Sequence, residues 1–521
     1  MGKRPSGKRQ SSGGPMVLGK PRGVIHPRVE KAGPQHFGIV SVDCAKARSK
    51  WMLADFYGNV LVPPAVVAHD RTGLAAAVEQ VKTAVRGHGL QDVLVAVERT
   101  GRYHRPVQRA FVAGGWEVRT VHPFTTKQFR MVASPGIKTD DKDLVAIHLA
   151  AVNGFALTEA GGDESWQALQ LLTRHRRDLV CKSSALCCQI KEHLDAAMPG
   201  YAACFPRLWE HPAALHLAWQ FGSAQALCTA GRGGISARLR KDKVAFRERT
   251  LERVLEWAQR ATGPDLAAEQ HRRIALELNT DREQKEQQIR ALEREIAAKL
   301  VQTPYLLLLS IPGINVVSAA EFAGECGPIR NYANARCITG RAGLYPSRYQ
   351  SDQVDHANGP LVRSANRQLR FAILQIAEKL IICNRYFGEL ANRWREAGKD
   401  PRHTRVKVGM RFSRIGFQMV AGGQVFHHPC CKDRSYILTK LLAFHREHGT
   451  PTATLLDDVQ AAVTQIPRRE YAAEAASLQE ELAALQAHRR RDPQPIGEIL
   501  PLVLARLGVL QSHQSEEQGP T

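Results

Sequence analysis

No stretch of the 521-residue sequence stays apolar for the roughly 20 residues that a membrane-crossing helix needs, and runs such as Tyr305 to Leu309 are far shorter. A soluble protein without a membrane partner is expected. Also missing is an apolar segment near the N-terminus. Residues 3 to 31 carry eight Lys/Arg against one acid, Glu30, spaced by Gly, Ser and Pro, which is not the pattern of a secretory signal. The spacing of a disulfide framework is absent too: the eleven cysteines are an odd number scattered through apolar segments, with adjacent pairs at Cys187-Cys188 and Cys430-Cys431. Reduced, mostly buried thiols in a cytosolic protein are expected. Acidic side chains are in short supply, 50 against 72 Lys and Arg, and the resulting charge of +22 points to a polyanionic partner. What is present, 44% apolar and 23% charged side chains, suffices for two or three packed domains and excludes a disordered or fibrous chain.

The pattern along the chain predicts a change of class. Residues 1–35 read as a flexible basic arm able to lie along phosphates, with ordered structure starting at His36. Short β-type runs follow at Phe37 to Asp43, Trp51 to Phe56 and Asn59 to Val62. After them come a helical period from Gly73 to Arg86, a β-branched run Val93 to Val97, a helix from Tyr103, a strand from Trp116 to Val121 and a helix beginning near Asp140. This order predicts an α/β domain with a mostly parallel, helix-flanked sheet over residues 36–158. Residues 159–302 read as a helical, coiled-coil-like segment, with Thr280-x-x-Glu283 as a capping box and Ile289, Leu292, Ile296 and Leu300 on one stripe. A third compact, mostly helical unit spans 303–397. A basic, then mixed, helical extension covers 398–521, with Leu478, Leu482 and Leu485 suggesting a last amphipathic helix.

Four carboxylates carry the first candidate chemistry. Asp43 and Glu98 end predicted strands, and Asp140 and Asp143 open a predicted helix, three apart and so on one face. Acids at such places often serve only as caps. Clustered at one sheet edge, however, they repel one another unless a hard cation neutralises them, and Mg²⁺ (or Mn²⁺) prefers such oxygen ligands together with substrate phosphate. Two such ions would stabilise the attacking and leaving oxygens of phosphodiester cleavage. The order of the four suggests a ribonuclease-H-like nuclease core.

The motifs Gly38-Ile-Val-Ser-Val-Asp43-Cys-Ala-Lys46, Val97-Glu98-Arg-Thr-Gly101 and Lys138-Thr-Asp140-Asp-Lys-Asp143 resemble those of the DEDD transposases of bacterial insertion sequences, insertion-sequence family 110. The likeness continues in Leu309-Ser-Ile-Pro-Gly-Ile-Asn315, similar to that family's helix-hairpin-helix element, and in Gly340-Arg-Ala-Gly-Leu-Tyr-Pro346. It extends through Ser347-Arg-Tyr-Gln-Ser351-Asp352 and Gly359-Pro-Leu-Val-Arg363-Ser-Ala-Asn366-Arg-Gln-Leu-Arg370, and covers roughly residues 36 to 385. Asp141, Asp352 and Ala365 depart from the usual residues.

The resemblance implies a RuvC-like N-terminal domain whose Asp43, Glu98, Asp140 and Asp143 hold Mg²⁺, a coiled-coil segment, and a transposase domain whose Ser351 is the nucleophile. It also implies a bacterial, cytoplasmic, nucleoid-associated enzyme that moves a DNA element through a covalent serine-DNA intermediate. Its partners would be double-stranded target and donor DNA and a structured noncoding bridge RNA. The working particle would be a homo-oligomer, a dimer or tetramer, that sets the acids of one protomer beside the serine of another.

Around Ser351 the residues themselves fit phosphate chemistry. Arg348, Arg363, Arg367 and Arg370 offer guanidinium forks, Asn366 lies among them, and the turn at Gly313 before a helix could present amides to a phosphate. A serine alkoxide attacking phosphorus leaves a phosphoserine ester that conserves the bond for rejoining without ATP. Residues 363 to 414 hold thirteen Lys/Arg against four acids, interleaved with Tyr386, Phe387, Trp394 and Phe412, the composition of a nucleic-acid face. His427, His428, Cys430 and Cys431 lack the spacing of a tetrahedral zinc site. A junction-resolving nuclease using water and a non-catalytic nucleic-acid scaffold remain as alternatives.

Overall fold

The computed structural model describes residues 23–158, 164–351, 354–356, 359–426, 435–467, 502–503 and 505–506. The arm before residue 23, Asp352, the His427/His428 and Cys430/Cys431 pairs, and Leu478, Leu482 and Leu485 lie outside them. The chain divides into two compact units, Met1–Gly162 and Asp163–Thr521.

The first unit runs α1 (His26–Ala32), β1 (Phe37–Cys44), β2 (Arg48–Asp55), β3 (Val60–Ala68), α2 (Arg71–Gly87), β4 (Asp92–Glu98), α3 (His104–Ala113), β5 (Glu117–Val121), α4 (Pro123–Ala133) and α5 (Asp140–Val152). Its five strands form one sheet in the order β3-β2-β1-β4-β5. The sheet is mixed rather than mostly parallel: β1, β2 and β3 pair antiparallel, and only β1-β4 and β4-β5 are parallel. The reason is in the connections. Residues 45–47 and 56–59 are too few for a crossover and can close only hairpins, whereas helices α2 and α3 supply the crossovers that parallel strands require. Alternation in β1 feeds both faces. Val40 and Val42 pack with Leu53, Val78, Val81 and Phe111 under α2 and α3. Phe37 and Ile39 pack with Leu94, Ile147 and Ala151 under α5.

The expected flexible arm is corrected in its last third. Ile25 and Val29 of the α1 segment are buried in the same core as Phe37 and Leu94, worth about 1.5–3 kcal/mol each. Arg28 donates from Nε to Asp92 at 2.8 Å and pairs with Glu117 at 2.6 Å, so it is spent inside the domain. Helix α4 was also not anticipated; Pro123 opens it and His122 caps it by accepting from the Phe124 amide at 3.1 Å.

The second unit is helical. Helix α6 (Glu164–Ala197) leads into α7 (Pro212–Phe221), α8 (Ala224–Lys241, bent at Gly231) and α9 (Glu248–Arg260), and α10 (Ala268–Leu300) returns along α6. The pairs Arg176–Glu293 and His193–His271 set α6 and α10 antiparallel. At their far end Tyr201, Leu217, Leu227, Leu239, Leu251 and Val254 make a separate small core. Of the predicted stripe, Ile296 and Leu300 are buried and Ile289 and Leu292 half-buried. Thr280 is not a cap: it lies inside α10 and its hydroxyl donates to Leu276 O at 3.1 Å, because the helix began a dozen residues earlier.

A 3₁₀ turn at Pro304–Ser310 then leads to α11 (Val316–Cys326), α12 (Ala335–Ala342), the two-stranded ribbon β6 (Tyr349–Ser351) and β7 (Val354–His356), α13 (Arg367–Cys383), α14 (Arg385–Glu396), α15 (Pro401–Gly422), α16 (Ser435–Glu447) and α17 (Thr452–Gln465). Leu306 to Leu309, Phe322, Ile373 and Phe387 share one core with Phe412 of α15, Leu438 and Leu441 of α16 and Leu455 of α17. Residue 397 therefore divides no core. Nor are the thiols mostly buried. Among the described cysteines Cys44, Cys204 and Cys326 are buried and Cys181, Cys188, Cys228 and Cys383 exposed, all of them free.

Candidate active site

Strand register brings the first two acids together. Parallel pairing aligns Val42 of β1 with Val97 of β4, so the next residues, Asp43 and Glu98, emerge side by side at the carboxyl edge of the sheet. Helix α5 packs across β1. Thr139 caps α5 by accepting from the Lys142 amide at 3.3 Å, which fixes its first turn at Asp140. Asp140 is exposed and Asp143, one turn on, is buried at 5% exposure. Burial, a hydrogen bond with Glu98 and the charges of Glu98, Asp143 and Asp140 push the Asp43 carboxyl up to about 7.

Two cations unforeseen in the sequence temper this cluster. Arg130 of α4 pairs with Asp143, and Lys50, the β2 partner of Asp43, pairs with Asp141 at 2.7 Å. Neither carries a motif; each reaches the site only through the fold. Among the described residues no group of three or more His, Cys, Asp or Glu stands in a metal-holding arrangement. The donor chemistry nonetheless fits a hard divalent cation: four carboxylates, no sulfur or imidazole, and a repulsion that such an ion would relieve.

Ser351 ends β6 opposite Val354 and is exposed. The ribbon is anchored at its base, where Ser347 N donates to Pro360 O at 2.9 Å, Gly359 N to Ser347 O at 3.1 Å and Val362 N to Tyr345 O at 3.2 Å. Its hydroxyl is thus presented to solvent on a short two-stranded arm, with Arg348, Arg363 and Arg367 exposed in the same stretch.

Three expected binding residues turn out to be occupied with the fold. Asn366 caps α13, accepting from the Gln368 and Leu369 amides at 3.0 Å, while its Nδ2 donates to Glu325 at 2.9 Å. That glutamate is 3% exposed and also receives Arg174 Nε at 2.6 Å. Arg370 donates to Ala342 O at 2.8 Å and to Val362 O, pinning the ribbon's base to the end of α12 rather than offering a free fork. Gly313 has φ +96°, and a side chain there would meet Cys383 Cβ at 3.2 Å. Two amides of the following helix start are taken up locally, where Asn315 and Ser318 form a reciprocal capping box at the start of α11. Lys440 of α16, unremarked in the sequence, donates to Leu309 O, Ile311 O and Ile314 O at 2.7–2.8 Å and so fastens the whole turn.

A five-stranded mixed sheet with acids at the carboxyl ends of its adjoining central strands, flanked by helices, defines an α/β domain of the ribonuclease-H-like kind. Comparison with known families agrees. The IS110-type DEDD transposase model ("Transposase") matches residues 40–199, and the model "Transposase IS116/IS110/IS902 family" matches residues 305–392. The chain belongs to the IS110-type DEDD transposases, DNA-cleaving and recombining enzymes of insertion sequences. No curated protein matches it. Among the described residues no helix is long and apolar enough to cross a membrane.

Proposed function

We propose that this transposase excises and inserts its element through a covalent bond between Ser351 and DNA, with Asp43, Glu98, Asp140 and Asp143 holding Mg²⁺ (or Mn²⁺) at the cleavage site. The observation that carries the reading is the gathering of Glu98, Asp140 and Asp143 around Asp43, whose carboxyl is pushed up to about 7 by burial first and then by the hydrogen bond with Glu98 and the charges of these neighbours. The bound cation would supply charge neutralisation of the scissile phosphate.

The chain's own residues account for the rest. Ser351 Oγ forms a bond to phosphorus as the bond to the leaving strand breaks, the serine proton departs, and the leaving oxygen takes up a proton; the reverse step joins a new strand. Arg363 and Arg367, both exposed, would bind phosphate oxygens of the same DNA. Arg130 pairs with Asp143, and a divalent cation held by the four acids would compete with it for that carboxylate.

The partners are double-stranded target and donor DNA and a structured guide RNA, for which the +22 charge is the supporting feature. The acting form is a homo-oligomer in the bacterial cytoplasm, working on nucleoid DNA. Recombination of a marked element in the presence of copurified RNA tests the metal-dependent part: Asp43→Ala and Glu98→Ala, or excess chelator, should each abolish it. Recombination that persists removes the acids from the mechanism. Sequencing the copurified RNA should return one structured species; random cellular RNA would count against guidance.

A further inference from the structure

Helices α14 and α15 diverge from their shared core to leave a groove of about 700 Å³. Its walls carry two rings, Tyr386 and Trp394, and four cations, Arg393, Lys407, Arg411 and Arg414, with no acid among the described lining residues. Helical spacing puts them there. Lys407, Arg411 and Arg414 follow at i, i+4 and i+7 along one stripe of α15, and Arg393 and Trp394 lie about two turns beyond Tyr386 on α14. Both rings are half-buried and pack against the main core, so they are held as fixed walls. Two of the cations lie over these rings: Lys407 Nζ is 5.4 Å from the Trp394 ring centre and the Arg411 guanidinium 5.8 Å from that of Tyr386, whose hydroxyl also accepts from Arg411 Nε at 2.8 Å. Arg393, Arg411 and Arg414 are exposed at the mouth.

A fixed apolar wall ringed by positive charge selects a ligand that is both planar and polyanionic. In a duplex the base faces are hidden in the stack, so a duplex can offer this groove only phosphates. An acidic polypeptide brings charge without the planar face. We infer that the groove binds a single-stranded segment of nucleic acid, a base lying against Trp394 and flanking phosphates at Arg393, Arg411 and Arg414. The base stacking on Trp394 takes its open face or displaces the mobile Lys407 ammonium towards a phosphate. The inference rests on the transposase reading and adds to it a separate seat for unpaired nucleotides, beyond the acids and the serine.

The test measures binding of the full-length protein to labelled oligouridylate, to oligothymidylate of equal length and to a random duplex. Trp394→Leu should weaken single-strand binding about 5- to 100-fold, the range for loss of one stacked base, and leave duplex binding within about twofold. Trp394→Phe should restore most of the loss, and an unchanged urea midpoint in Trp394→Leu separates a lost stack from a destabilised core. Arg414→Gln should lower the slope of log affinity against log salt by about one. A stronger effect on the ribo- than on the deoxyribo-oligomer assigns the seat to RNA, and the reverse assigns it to displaced DNA. Unaltered single-strand binding in Trp394→Leu, equal loss on duplex without rescue by Phe, or displacement of the oligomer by polyglutamate as readily as by unlabelled oligomer would each overturn the inference. Wild-type binding to duplex but not to single strands would overturn it alone, leaving the transposase reading intact; binding to neither would sink both.

Discussion

Replacing Asp43 by Asn should stabilise the first unit when no divalent ion is present. The carboxyl is pushed from an ordinary 3.8 to about 7 by burial and by the charges of Glu98, Asp143 and Asp140. At about 1.36 kcal/mol per decade of proton affinity, a fully sealed group would oppose folding by on the order of 4 kcal/mol. Asp43 is only half-buried, and screening by solvent reduces this to about 1–2 kcal/mol. The sign follows from the raised affinity. Below about pH 4 the group is protonated whether folded or not and opposes nothing; the penalty grows as pH rises towards 7 and is complete above it. Amide exchange of β1 and β4 in the full-length protein, corrected for intrinsic rates, reads this directly. In chelator near pH 8, Asp43→Asn should raise protection about 5- to 30-fold over wild type, and near pH 4 the two should coincide. Millimolar Mg²⁺ should protect wild type and leave the variant unchanged. A variant that exchanges faster than wild type in chelator at high pH would refute the claim that these acids repel one another in the folded chain.

Arg130→Gln should strip Asp143 of its partner and cost about 3–5 kcal/mol in chelator; amide exchange of α5 should then show a larger Mg²⁺ rescue than in wild type, and an equal rescue would mean that Arg130 does not compete with the cation. Lys440→Met removes one ammonium from three carbonyls at 2.7–2.8 Å and should lower the stability of the second unit by about 2–4 kcal/mol in urea titration, an unchanged midpoint contradicting its fastening role.

Much of the first unit was legible because β1 and β4 are β-branched runs that end in Asp43 and Glu98, and because Thr139 marks where α5 starts. Sheet direction was not. It depends on turns of three and four residues closing hairpins, which the strand patterns themselves do not encode. Helix α1 was hidden by its surroundings: two apolar residues among glycines and prolines look too few to order a chain until β4 and α5 supply the wall they pack on. At the site, the acids announced themselves by spacing, whereas Arg130, Lys50 and Lys440 act across 13, 91 and more than 120 residues of chain and carry no local signal. Asn366 and Arg370 show what a motif does not reveal. Their place in it suggests ligand contact, while the fold also engages them with backbone groups left open at the start of α13 and the end of α12.

The most direct measurement is denaturing electrophoresis of the RNA-loaded protein after incubation with labelled element-end DNA and Mg²⁺. Wild type should carry label covalently, and Ser351→Ala should lose the labelled band while still retaining the copurified RNA. A band of undiminished intensity in Ser351→Ala, or cleaved free DNA ends with no band in wild type, would contradict the account.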